Sequence, residues 1–163
     1  MKRAFIITSA IKVKDSDDID NLNRLQQTIH TIDSIRSRVD DVDIFLIETG
    51  SKSLNQSELN LFPDVVKIIP LNDSDRVHKI EKDSTHIAEG LSTKFKIKDK
   101  SIEDVKKFIK LAYLKSITEH FAIQVILKMY DFSKYETVFK ISGRYFLNEK
   151  FDLSNYNNKG ITA

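Results

Sequence analysis

The chain has 163 residues, 40% hydrophobic and 31% charged, the profile of one soluble α/β-sized domain whose core needs neither disulfide nor structural metal. It contains no cysteine, which excludes thiol nucleophiles, cysteine-ligated zinc, iron–sulfur clusters and disulfide frameworks, and fits a reducing compartment. Lys and Arg number 26 against 24 Asp and Glu, with the two signs alternating along the chain, so no basic stripe points to nucleic acid as a partner.

After Met1-Lys2-Arg3, the apolar run Ala4-Phe5-Ile6-Ile7 is too short for a signal sequence or a membrane span, so the expectation is a cytoplasmic chain without a transmembrane segment. Residues 3–8 read as a first strand buried on both faces. Leu22, Leu25, Ile29, Ile32 and Ile35 recur at helical spacing and predict a helix over 19–38, with acidic residues at its start and Arg36 and Arg38 at its end. Residues 42–47 form a second apolar strand, closed at Glu48-Thr49-Gly50 by a turn in which glycine would take positive φ. A short helix over 56–61 stops at Pro63, and residues 65–69 read as a third strand closed by Pro70.

From 71 to about 100 the chain is polar without sustained period and reads as a long loop. Ser101 with Asp104 resembles a capping box, and Val105, Phe108, Ile109, Ala112, Ile117, Phe121, Ile123 and Leu127 predict a long, largely buried helix with a break near Leu114. Residues 137–141 form the fourth strand, and 146–163 read as an irregular tail. The whole, 1–163, is taken as a single α/β domain: a mostly parallel sheet of about four strands with helices on both faces and right-handed crossovers. In such sheets ligands bind outside the carboxyl ends of the strands, which singles out Thr8-Ser9-Ala10, Glu48-Thr49-Gly50, Leu71-Asn72-Asp73 and Ser142-Gly143-Arg144.

The signatures of dinucleotide-binding enzymes, P-loop ATPases, esterases and zinc proteases are all absent from the sequence. Asp41-Val42-Asp43 has the spacing of a paired-carboxylate cation site, but it precedes strand two, the wrong end of the sheet, and reads as a solvated turn. Asp73-Ser74-Asp75 has the same spacing at the correct end and is the weak candidate for a metal. His78 and His86 read as exposed loop histidines. Lys115 and Glu119, at i and i+4, have the spacing of a helix-surface ion pair. In Ser142-Gly143-Arg144 the glycine permits close backbone approach to a ligand and the arginine suits bidentate recognition of phosphate or carboxylate.

Phe5-Ile-Ile-Thr-Ser-Ala10, Arg24-Leu-Gln-Gln-Thr-Ile29 with Thr31-Ile-Asp-Ser-Ile-Arg36, and Ile44-Phe-Leu-Ile-Glu48, followed by Lys115-Ser-Ile-Thr-Glu119 and Phe139-Lys-Ile-Ser-Gly-Arg-Tyr145, together resemble the amino-terminal half of a GT-A glycosyltransferase, in particular small glycosyltransferase-like proteins of bacteria and large viruses. The resemblance spans most of residues 3–147. It implies a Rossmann-like half-domain that binds a nucleotide-sugar donor and passes the sugar to a glycan or other hydroxyl acceptor. By position, Thr8, Ser9 and Ala10 would line the nucleotide, Arg24 would reach its phosphate or base, and Glu48 would accept from ribose or base.

The family usually carries Asp-x-Asp at the end of the fourth strand, holding Mn²⁺ or Mg²⁺ on the donor diphosphate. This chain has Ser142-Gly143-Arg144 there, so Arg144, with Lys140 or Lys115, would neutralise the leaving diphosphate directly. The family also continues into a half that supplies the acceptor site and catalytic base. The chain therefore reads as a fragment or as a minimal donor-binding module, and no catalytic base is nominated. The alternative reading is a non-catalytic α/β module that binds a nucleotide or a partner protein through the 71–100 segment.

Overall fold

In β1 (Arg3–Ser9) and β2 (Val42–Glu48) the interior side chains on both faces are apolar and fully buried, so each face of the sheet must be covered. The computed structural model describes residues 2–13, 16–72, 74–94 and 101–156. Their strands, completed by β3 (Val66–Pro70) and β4 (Thr137–Ser142), make one four-stranded parallel sheet in the order β3-β2-β1-β4. The fold is α/β and Rossmann-like, as the sequence predicts.

Phe5, Ile7, Ile44 and Leu46 point to one face and pack against Leu25, Ile32 and Ile35 of α1 (Asp18–Arg36). Their alternates, Ala4, Ile6, Phe45 and Ile47, point to the other and meet Ala122 and Ile126 of α4 (Ile102–Met129). Phe5 stacks on Phe139 of β4 with centroids 4.7 Å apart, and Phe45 meets Tyr130 edge-on at 4.8 Å and Phe132 at a tilt at 5.2 Å. The edge strands β3 and β4 are only partly buried. Asn55 and Glu58 cap each other at α2 (Gln56–Leu59), and the segment after β4 ends in a short 3-10 turn at Leu153–Asn155.

Three expectations are corrected. The long polar loop is largely α3 (Asp75–Ser92), whose buried stripe is Val77, Ile80, Ser84, Ala88 and Ser92. Serines occupy two of these five positions, which hides the helical period from a hydrophobicity reading. Their hydroxyls are satisfied within the helix by the carbonyls of Glu81 and Glu89. Second, α4 is one unbroken helix, as its lack of interior Gly or Pro allows. It is also far less buried than expected: only Val105, Thr118, Ala122 and Ile126 are fully covered, while Ile102, Phe108 and Leu111 are more than half exposed. Its first half packs beside α3, where Lys106 lies 3.6 Å from Glu89, and only its second half reaches the sheet. Third, among the described residues no glycine has positive φ. Gly50 is required instead by crowding, since a Cβ there would lie 2.5 Å from Glu48 Oε1 and from the Lys12 carbonyl. Residues 95–100 and 157–163 of the expected loop and tail lie outside the described residues.

Candidate functional site

The chain runs β1, β2, β3 outward in one direction and then returns to place β4 on the other side of β1. The strand order thus reverses between β1 and β4, the position at which such sheets open a ligand crevice, and the segments leaving both strands pack against α1. A cleft of about 490 Å³ lies there, with Thr8, Ser9 and Ala10 after β1 and Ser142, Gly143 and Arg144 after β4 on its floor and rim. Arg24 of α1, Val77, His78 and Glu81 of α3, and one side of α4 complete its walls.

The floor is held together tightly. The Gly143 N–H donates to the Thr8 carbonyl at 2.9 Å, and the Ser9 and Thr28 hydroxyls are 3.0 Å apart. A Cβ at position 143 would come within 2.9 Å of Thr28 Oγ1 and 3.0 Å of Ser9 Oγ, so glycine is what lets the β4 loop lie this close to β1. The Thr8 hydroxyl donates to Glu119 of α4 at 2.9 Å, and the Arg24 guanidinium donates to the Ala10 carbonyl at 3.4 Å.

The buried stripe of α1 explains how these loops are fixed. Besides Leu25, Ile32 and Ile35 it contains Asn21, Thr28, Thr31 and Ser34, whereas Leu22 is half exposed. Asn21 accepts from the Val13 N–H at 3.0 Å, Thr31 donates to the Tyr145 carbonyl at 2.6 Å, and Ser34 accepts from the Leu147 N–H at 2.9 Å. Polar residues on an otherwise apolar stripe therefore tie α1 to the two loops of the switch point.

Seven of the residues named from the sequence, Thr8, Ser9, Ala10, Arg24, Lys115, Gly143 and Arg144, line this one cleft. Lys140 does not line it. It is ion-paired with Glu119 and faces a shallower hollow with Ser116, His120 and Ile123. Glu119 thus takes its ion pair from β4 and not from Lys115 one turn away. Burial works against its ionised form, but hydrogen bonds from Lys140 and Thr8 and the charges of Lys140 and Lys115 outweigh it and hold its carboxyl below the usual range.

Glu48 lies behind the cleft wall, 1% exposed. Its Oε1 accepts from the backbone N–H groups of Ile11 at 2.9 Å and Gly50 at 2.7 Å, bracing the loop after β1, while Oε2 has no hydrogen-bond partner among the described residues. Burial raises this carboxyl to about 7, against the opposing pull of those N–H groups, Ser9 and Arg24. Thr118, on the cleft wall, likewise has a buried hydroxyl without a hydrogen-bond partner among the described residues.

Asp75 begins α3, exposed and outside the cleft lining, and Asp73 lies outside the described residues. His78 lines the cleft, whereas His86 sits on α3 beside Glu89. Asp43 is no solvated turn residue: within β2 it pairs with Lys2 at 3.0 Å and Lys67 at 3.7 Å and accepts from the Tyr135 hydroxyl, at the far end of the sheet. The sequence reading missed Lys107, Lys110, Leu111, Leu114 and Thr118 of α4 and Glu81 of α3. The α4 residues form two rows at i+4 spacing, a signal present in the sequence but masked by the apolar residues between them.

The charge of the lining is cationic: Arg24, Lys107, Lys110, Lys115 and Arg144 against Glu81 and Glu119. Among the described residues no three His, Asp or Glu stand together as a metal-ligating group, and the residue that lines the cleft just past the end of β4 is an arginine, Arg144. These residues do not fit a divalent cation. They suit an anion held by arginine and lysine. Among the described residues no helix is long and apolar enough to cross a membrane. No family model, no curated protein and no solved structure matches the chain.

Proposed function

We propose that this chain is a glycosyltransferase of the GT-A kind, or the donor-binding part of one, taking a sugar from a nucleotide-sugar to a hydroxyl of a glycan or similar acceptor. The observation that carries the reading is the convergence of Thr8, Ser9, Ala10, Arg24, Lys115, Gly143 and Arg144 on one cleft at the strand-order reversal. The β1 loop offers backbone and hydroxyl groups to a nucleoside, and Arg24, Lys115 and Arg144 offer positive charge to a diphosphate.

In the proposed reaction an acceptor hydroxyl oxygen bonds to the anomeric carbon as the bond from that carbon to phosphate oxygen breaks. The nucleoside diphosphate leaves with the bonding electrons, and the hydroxyl proton passes to solvent or a base. Cations fixed before the reaction stabilise the charge that develops on the leaving diphosphate, the role a metal plays elsewhere. Within this reading, residues 8–10 and Gly143 position the donor, and Arg144 and Arg24 bind the phosphates.

The test is thermal stabilisation of the chain by UDP, GDP, CMP and their sugar conjugates, each with and without Mn²⁺. The reading expects one nucleotide to raise the melting temperature irrespective of Mn²⁺. No shift with any of them would overturn it in favour of a non-catalytic interaction module, a reading for which the exposed Ile102 and Phe108 on α4 speak.

A further inference from the structure

Away from the strand ends the cleft continues along α4, past the reach of the β1 and β4 loops. Lys107, Leu111 and Lys115 follow one another at i+4 spacing toward Glu119, and Lys110, Leu114 and Thr118 form the adjoining row. The Thr8–Glu119 hydrogen bond anchors the inner end of these rows at the carboxyl end of β1. At the rise of an α-helix, Lys115 lies about 6 Å along the axis from Glu119, Lys110 about 14 Å and Lys107 about 18 Å. Measured from Lys115, where a diphosphate met by Arg24 and Arg144 would lie, Lys110 stands about 8 Å and Lys107 about 12 Å farther along the axis.

Among the described residues neither Lys107 nor Lys110 has an ion-pair partner, although the neighbouring Lys106 is engaged by Glu89 at 3.6 Å. Two unpaired ammonium groups, each one turn before a leucine of the same row, Leu111 and Leu114, make a subsite in this concave wall for a ligand that is anionic and partly apolar. Glu81 is the opposing acid of the α3 wall, and His78 adds an imidazole.

We infer that this outer arm is the acceptor subsite and that the acceptor carries its own anionic group, a phosphate or a carboxylate on a saccharide, met by Lys107 and Lys110. The word acceptor rests on the donor reading above; the anionic subsite rests on the α4 rows alone. Leu111 and Leu114 pack against the apolar face of the ligand. A neutral saccharide gains nothing from the two lysines and is discriminated against.

The experiment is calorimetric titration of the whole chain with glucose 6-phosphate, glucuronate and glucose, and separately with the nucleotide panel. Wild type is compared with Lys107→Ala/Lys110→Ala and Arg24→Ala/Arg144→Ala. The expected result is binding of the phosphorylated or carboxylated sugar but not of glucose. The lysine pair variant weakens that binding about tenfold or more, the loss expected for charge-assisted contacts, and leaves nucleotide affinity unchanged. The arginine pair variant does the reverse. Which acid binds more tightly tells phosphate from carboxylate. Failure of wild type to bind either acid overturns the inference, as does a lysine pair variant that loses nucleotide and acidic sugar alike. If the acidic sugar binds through Lys107 and Lys110 while no nucleotide binds, the anionic subsite stands and the donor reading falls. Both lysines lie outside the core, so the melting temperature of the variant checks that the fold is intact.

Discussion

The Thr8 hydroxyl at the carboxyl end of β1 donates to the Glu119 carboxylate of α4 at 2.9 Å, joining residues 111 positions apart. With Lys140 of β4 on the same carboxylate, Glu119 ties the two strands of the switch point to the helix that walls the cleft. Glu119→Ala leaves Lys140 and Thr8 without that partner. It is expected to destabilise the fold by about 1–2 kcal/mol and to weaken ligand binding in the cleft. Urea unfolding and nucleotide titration of the variant check both. Because the Glu119 carboxyl is held low, its contribution is present above the ordinary carboxylate range and fades as the pH falls through the folded-state value.

Gly143 and Gly90 provide opposite outcomes from one substitution. Gly143→Ala drives a methyl against Thr28 Oγ1 and Ser9 Oγ and is expected to cost about 1–3 kcal/mol and to spread the β1 and β4 loops. Gly90, within α3, has nothing within 4 Å of a would-be Cβ, so Gly90→Ala is expected to stabilise the fold by about 0.5–1 kcal/mol. Paired thermal melts distinguish the two.

Glu48 sets a pH dependence of stability. Its folded value, about 7, exceeds the ordinary carboxylate value of 4.5, so below that lower value the group is protonated in both states and costs nothing. As the pH rises through the window from 4.5 to 7 the unfolded chain ionises first, stability falls, and above 7 the loss is complete, at most of order 3 kcal/mol. Glu48→Gln keeps an acceptor for the Ile11 and Gly50 N–H groups and cannot ionise. The stability of the variant relative to wild type should therefore rise between pH 5 and pH 8, as measured by urea unfolding at each pH.

Arg144 is exposed and outside the core, so its removal reads on binding and not on folding. Arg144→Ala is expected to weaken nucleoside diphosphate binding about tenfold, with Arg144→Lys intermediate, because lysine keeps the charge but loses the bidentate fork. Chelator or added Mn²⁺ should leave the affinity of wild type unchanged. Restoration of binding to Arg144→Ala by Mn²⁺ would instead reveal a carboxylate-held cation.

The failures of the sequence reading are as physical as its successes. The buried strands declare themselves because the part of a strand covered on both faces must be apolar, and Ile44, Phe45, Leu46 and Ile47 of β2 show this residue by residue. The α3 helix was illegible because Ser84 and Ser92 face inward with hydroxyls satisfied by their own backbone, so burial there leaves no hydrophobic mark. Lys115 and Glu119 had the spacing of an ion pair, yet the carboxylate went to Lys140, which is adjacent only because β4 lies beside β1.

Local pattern alone, from the apolar runs and helical periods, determined that this chain is an α/β protein with a mostly parallel sheet, and which residues stand at the carboxyl ends of its strands. Tertiary structure alone decided that β4 returns to the far side of β1, and much that is specific to the site follows from that: the cleft at the strand-order reversal, the contact of Gly143 with Ser9 and Thr28, and the ion pair of Glu119 with Lys140. Strand runs and helix stripes are set by neighbours within a few residues, which a sequence displays. Which strand lies beside which depends on how distant faces pack, and the sequence carries that only through the fold.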